Sequence, residues 1–330
     1  GATPLFGERW PAAASAARRA QRVGALQFDQ FALSDDDLLL CLYDMFDAEH
    51  GLVAHFDVPP RNLRRFLLAV RARYRQVPFH NFRHAFNVTQ AAAAFLGELG
   101  VGAALRPVEK LALLVACVCH DLDHPGLNNA FQTQARTQLA LRYNDASVLE
   151  NHHCSMAFRI LACDACDVCV NMDDDTRRTF RKHVVACIIA TDLALHKQYM
   201  ERVAALDAER WRDDDAARAT VLAALVKCAD LCNEVRPVHA LSQRWAAAVM
   251  TEFFIQGDLE RERGWQVSPL MDRAKASTPK GQVGFINFLC KPLYVAVARI
   301  FPSLNACVRN LERNAAEWQR IHDAAEADAD

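Results

Sequence analysis

The sequence predicts an all-α fold, and three observations carry that expectation. Long stretches place apolar residues at spacings of three and four, no stretch alternates apolar and polar residues as a half-buried strand would, and helix-start signals precede the periodic stretches. In chain order, Ser34 and the acidic run Asp35 to Asp37 open DDDLLLCLYDMFDAE with a capping residue and negative charge at the positive end of the helix dipole. Pro59-Pro60 leads into RNLRRFLLAVRARYR, where the fixed φ and missing N–H of proline suit a first turn. RPVEKLALLVACVCHDL keeps the same period, and Asp213 to Asp215 open DDDAARATVLAALVKCADLCNEV with another acidic turn. No linker or repeat divides the chain, so residues 1–330 read as one domain of helical sub-regions around one core. The acidic, Ala-rich end from Asp323 to Asp330 is expected to fray.

Composition bounds the function. With 330 residues, 52% of them hydrophobic, and a formal net charge of −2, the chain can bury a large core and has no general attraction for nucleic acid or an anionic membrane. An anionic ligand must therefore be held by a local feature. No run of about 18 apolar residues occurs, so no membrane-spanning helix is expected. Twelve cysteines lie scattered in apolar contexts such as LLVACVCHD and VVACIIA, the pattern of buried free thiols, which points to a reducing, cytoplasmic location. CDACDVC is the exception: Cys163, Cys166 and Cys169 have ligand-like spacing, but no fourth Cys or His follows closely enough to close a tetrahedral site, so it reads as a cysteine-rich loop. The chain begins Gly1-Ala2 without a Met or secretory signal, as an excised piece would, leaving regulatory modules and any membrane association to regions outside it. Homodimer formation is compatible with the sequence and not required by it.

Chemistry concentrates in HNFRH, with His80 and His84, and HDLDH, with His120, Asp121 and His124. On a helix, residues four apart share a face, so each histidine pair can point into one site. Asp121 adds a hard oxygen beside imidazole, and Asp230 in KCADLCNE offers a second carboxylate, completing a mixed N/O set for a divalent metal. A single HxxxH arises by chance; both pairs together with a downstream helical Asp form the pattern of metal-dependent phosphohydrolases. Two imidazoles with two carboxylates suit zinc, and a neighbouring carboxylate-and-water position suits magnesium or manganese.

HNFRHAFNV, HDLDHPGLNN, RYNDASVLENHHC, KCADLCNEVRP and QVGFINF, in this order and at these separations, resemble the class I cyclic nucleotide phosphodiesterases from about Arg73 to Pro302. RYNDASVLENHHC and NEVRP look most like the cGMP-preferring type 9 branch. The resemblance implies a compact multi-helix catalytic fold with its metals in a pocket between helical sub-regions. It implies zinc on His84, His120, Asp121 and Asp230, a second ion, usually Mg²⁺ with Mn²⁺ as alternative, on Asp121, and a hydroxide between them that attacks the cyclic phosphate. His80 is then the general acid for the O3′ leaving group, supported by Glu150 of LENHH, with His124 near the hydroxide but off the zinc. Gln282 and Phe285 would read and stack the purine, and Asn233 and Phe253 would line the base pocket. Phe253 stands where the type 9 branch carries a tyrosine. Pro279, Lys280 and Gly281 are expected to shape an unusual loop before Gln282, affecting its rotation.

His153 is expected to be structural and His152 at most to support the site from outside the ligand set. His50, His55, His183, His196, His239 and His322 lack paired spacing and read as ordinary surface or core residues. Two rival readings are a broader HD-type phosphohydrolase, which leaves QVGFINF unexplained, and a non-catalytic nucleotide sensor, which leaves the full ligand set and general acid unexplained.

Overall fold

The computed structural model describes residues 9–328, and among them α-helices, 3₁₀ turns and one π turn occur without any strand. The expected helices form at Asp35–Phe46, Pro60–Arg71, Pro107–Cys119 and Asp215–Asp230. Ser34 Oγ accepts the Asp37 N–H, Pro60 and Pro107 sit in first turns, and Asp214 accepts the N–H groups of Ala216 and Ala217.

Pro107–Cys119 is buried almost all round, as a helix apolar on every face must be, and lies at the centre. Phe82–Leu96 packs beside it, with Ala91 to Ala94 fully buried, and Asp174–Ile189 and Asp215–Asp230 cover other faces. Arg218 donates Nε to Glu109 Oε1 at 2.6 Å and Nη2 to Oε2 at 2.5 Å, a buried bidentate pair that locks Asp215–Asp230 to Pro107–Cys119. Those two helices lead to His120 and Asp230, so this distant clamp fixes the spacing of the site.

Two expectations are corrected. The stretch Pro279 to Gly281 is not a loop: Pro279 occupies the first turn of the Thr278–Phe285 helix, a position that needs no amide donor. That helix continues through a π turn at Ile286–Cys290 into Lys291–Ala298. Pro292 gives the physical reason for the widened turn, since it cannot donate to the carbonyl four residues earlier and its ring would collide with it. Thr278–Ala298 is, by length and composition only, apolar enough to cross a membrane, although Lys280 and Lys291 interrupt it and no unbroken apolar run of about 18 residues occurs. Finally, the C-terminal helix Asn305–Ala327 runs through most of the segment expected to fray, because Leu311, Asn314 and Trp318 are buried and the following Ala and Glu residues propagate helix well. Residues 329–330 lie outside the described residues.

Candidate active site

Asn81 determines how HNFRH is used. Its side chain accepts the N–H groups of Arg83 and His84 and so caps Phe82–Leu96, placing His84 in the first turn and His80 before the helix. Likewise His120 ends Pro107–Cys119, and the chain then turns through Asp123, at φ 63°, before reaching His124. Neither histidine pair is therefore a helix-face pair. The four imidazoles meet because two helix termini face one another. Gly126, at φ 77°, lets its N–H reach His124 Nδ1 at 3.0 Å.

At the floor, His84 Nε2 and His120 Nε2 stand 3.2 Å apart. Asp121 Oδ2 lies 3.3 and 3.1 Å from them, and Asp230 Oδ1 lies 3.3 and 3.2 Å from them. Bonds of about 2.0–2.1 Å to a tetrahedral zinc would make ligand–ligand edges of about 3.3–3.4 Å, so these five separations match a tetrahedral cage. His120 Nδ1 is 2.8 Å from the Cys117 carbonyl, which must accept; the neutral tautomer then leaves a lone pair on Nε2, aimed at the cage. Asp121 Oδ2 is buried without a hydrogen-bond partner, a costly state that a cation would relieve. Burial alone would raise the Asp121 and Asp230 carboxyls, but the facing His120, when protonated on both ring nitrogens, outweighs it and holds both well below the carboxylate range. These residues fit a divalent metal.

Above the cage opens a cavity of about 510 Å³ lined by His80, Asp121, His124, Glu150, Asp230, Asn233, Phe253, Gln282 and Phe285. His84 and His120 lie beneath it, each 1% exposed. Every residue expected at the site is thus brought to one place.

One expected pairing does not form. The carboxylate on His80 is that of Glu252, which hydrogen-bonds Nδ1 and also accepts the N–H groups of Phe79 and His80 at 2.9 and 3.1 Å. Glu150 instead accepts both its hydrogen bonds from the Asn129 amide, and burial raises its pKa to about 7. The physical reason is reach: Glu150 is fixed on Val148–Leu161, whereas Glu252 comes from His239–Glu262, the helix that covers His80. Burial works against a charged His80, but Asp121 and Glu252 prevail and raise its pKa.

His124 stacks on His80 with ring centroids 4.0 Å apart. Because its Nδ1 accepts from Gly126, its neutral form carries the proton on Nε2; burial and the neighbouring His80 lower its pKa well below the usual value. The expectations for His152 and His153 exchange places. His153 Nδ1 is 2.7 Å from the Leu122 carbonyl, which leaves Nε2 as a lone pair facing Asp121 Oδ1 at 3.6 Å, so His153 belongs to the site. His152 Nε2 pairs with Asp123 at 2.8 Å behind it. Asp121, His124 and His153 cluster as a second group, in which Asp121 and His153 Nε2 have lone pairs free for an ion, while His124, with Nδ1 accepting from Gly126 and the proton on Nε2, does not.

At the base end, Arg236 Nη2 donates to Asn87 Oδ1 at 2.6 Å, which turns Asn87 so that its Nδ2 donates to Asn233 Oδ1 at 2.8 Å. With its oxygen taken from behind, Asn233 offers its NH₂ to the cavity. Arg236 and Asn87 were not assigned any role from sequence.

Fold and site together define an all-helical protein with a histidine–carboxylate cluster that fits a metal at the floor of a ligand-sized pocket. The profile described as 3'5'-cyclic nucleotide phosphodiesterase matches residues 79–311. The high affinity cGMP-specific 3',5'-cyclic phosphodiesterase 9A of Mus musculus is 40% identical over 83% of this chain and 51% of its own length. The 3',5'-cyclic-AMP phosphodiesterase 4C of Rattus norvegicus is 36% identical over 82% of this chain and 52% of its own. The crystal structure of the phosphodiesterase domain of Salpingoeca rosetta rhodopsin phosphodiesterase superposes with a TM-score of 0.87 at 34% identity, covering 95% of this chain and 97% of that one. This chain belongs to the 3',5'-cyclic nucleotide phosphodiesterase family, which is metal-dependent. It spans about half the length of the two curated relatives just described.

Proposed function

We propose that this protein hydrolyses 3',5'-cyclic nucleotides to 5'-nucleoside monophosphates, with cGMP favoured and cAMP also accepted. The observation that carries the reading is the cage of His84, His120, Asp121 and Asp230 at the floor of a cavity that Gln282 and Phe285 also line. The donor set and edge lengths favour zinc in the cage, with Mg²⁺ or Mn²⁺ beside it on Asp121. Bound there, two divalent cations lower the pKa of water and offset the charge of the phosphate. His80, its Nδ1 held by Glu252, presents Nε2 as the proton donor to O3′, and the neutral His124 stacked on it keeps that ring in place. Phe285 supplies a face for the purine.

Two features bear on the choice of purine. The fixed NH₂ of Asn233 suits guanine, which offers acceptors at both O6 and N7, better than adenine, which offers N7 beside a donor. The Gln282 amide has no hydrogen bond from another group among the described residues, so either flip is open to it and adenine remains acceptable. A cAMP-preferring or dual enzyme is the second reading, favoured by that unclamped amide and by Phe253 in place of a tyrosine. Location in the reducing cytoplasm is supported by twelve cysteines, all of them free. Steady-state kinetics on cGMP and cAMP side by side, with metal content measured on the same sample, tests the reading: turnover abolished by EDTA and restored by Zn²⁺ with Mg²⁺ supports it, while metal-independent binding without turnover would overturn it.

A further inference from the structure

Away from the pocket, the segment joining Val148–Leu161 to Asp174–Ile189 holds Cys163, Cys166 and Cys169. We propose that Cys163 and Cys166 form a modification site, a dithiol that closes to a disulfide when oxidised by a hydroperoxide such as hydrogen peroxide.

The backbone is already shaped for the bond. The Cys166 N–H donates to the Cys163 carbonyl at 2.7 Å, closing a four-residue turn. Such a turn holds its end Cα atoms within about 7 Å, overlapping the range of about 4.4–6.8 Å that a disulfide spans. The Cys163 side chain is near enough to Cys166 to raise its pKa. Asn62 holds the turn from outside, donating its Nδ2 to the carbonyls of Asp164 and Asp167 at 3.0 and 2.9 Å. The turn therefore persists whether or not the sulfurs are joined.

Access and reactivity divide between the two sulfurs. Cys163 alone among the twelve cysteines is not buried, so a dissolved oxidant reaches it first. Burial raises the Cys166 thiol to about 11, while the Arg65 and Arg73 guanidiniums favour its thiolate. Cys169, buried and pushed up to about 12, lies outside the turn that closes Cys166 on Cys163. A metal does not account for the motif: among the described residues, no group of three potential ligands with converging donor atoms includes these cysteines.

The chemistry balances with one peroxide. The Cys163 thiolate attacks one peroxide oxygen, the O–O bond breaks, and the other oxygen leaves as water with the proton the thiol released. The resulting sulfenic sulfur is attacked by Cys166, the S–S bond forms, the S–O bond breaks, and the hydroxyl leaves as a second water with the Cys166 proton. Two thiols lose two electrons, and one hydrogen peroxide becomes two waters.

The test treats the whole purified chain with a slight excess of hydrogen peroxide, quenches with catalase, alkylates with N-ethylmaleimide under denaturing conditions and maps the peptides. The expected result is a loss of two alkylatable thiols out of twelve, with the peptide containing residues 163 and 166 lighter by two hydrogens and restored by dithiothreitol. Cys163→Ser should keep its remaining thiols under the same dose. Sulfinic acid on Cys163 with Cys166 still alkylatable, linkage of another pair, or retention of all twelve thiols would each overturn the proposal. The wild-type peptide map decides the matter even if the variant folds poorly.

Discussion

Glu252 holds His80 by the ring and the backbone at once, accepting from the Phe79 and His80 N–H groups while its other oxygen meets Nδ1. Such a carboxylate fixes both the place of the imidazole and which nitrogen faces the pocket. Glu252→Gln is expected to lower kcat about 10²-fold with metal content unchanged, since an amide can still bridge the backbone but supports an imidazolium poorly. Kinetics and metal analysis on Glu252→Gln and Glu150→Gln together check this; a large kcat loss with retained metal in Glu150→Gln alone would return the supporting role to Glu150.

His80→Asn should leave metal content and KM near normal and reduce kcat about 10²–10⁴-fold, the usual worth of a positioned acid. Loss of metal from this variant would mean that His80 belongs to the cage.

Removing any one of His84, His120, Asp121 or Asp230 by alanine opens a cage whose five measured edges lie between 3.1 and 3.3 Å. Each variant is expected to lose tightly bound metal and nearly all activity. Inductively coupled plasma analysis after dialysis checks it, and full zinc stoichiometry in Asp230→Ala would exclude that residue as a ligand.

Selectivity should follow the Asn233 relay. Wild type is expected to favour cGMP in kcat/KM by about tenfold or more, because one satisfied purine hydrogen bond is worth about 1–3 kcal/mol over the same group left unpaired. Asn87→Ala frees Asn233 to turn and should reduce that ratio while preserving the metal. A wild-type preference for cAMP would contradict the reading of Asn233 without touching the phosphodiesterase chemistry.

The contribution of Glu234 to stability should fall as pH rises from weakly acidic to neutral. This carboxyl is 1% exposed, accepts from Ser242 Oγ at 2.6 Å and Trp318 Nε1 at 3.1 Å, and is raised by burial from 4.5 to about 7. The folded chain therefore binds the proton more tightly than the unfolded chain does. Stabilisation is complete below pH about 4.5 and is lost as pH climbs through about 7, on the order of 3 kcal/mol for a shift of this size. Denaturant unfolding from pH 5 to 8 should show a flatter slope for Glu234→Gln than for wild type; equal slopes would refute the assignment.

Much of this was legible in the sequence, because periodicity and capping act over a few residues. The all-helical fold and the starts at Ser34, Pro60 and the acidic run Asp213 to Asp215 follow from local spacing and capping, while the choice of His84, His120, Asp121 and Asp230 as the ligand set came from the resemblance of whole motifs to the phosphodiesterases. What the tertiary structure alone decided involves partners far apart in the chain. Glu252 lies 172 residues from His80 in TEFFIQ, and Arg236 reaches Asn87 across 149, so no local pattern marks either contact. The only available signal was that TEFFIQ already supplied Phe253 to the pocket. Even the histidine pairs converge for a reason that spacing does not contain: Asn81 caps one helix and Pro107–Cys119 ends at His120, and packing turns those two termini toward each other. Local chemistry chooses where a helix starts, and the burial of whole faces chooses which ends meet.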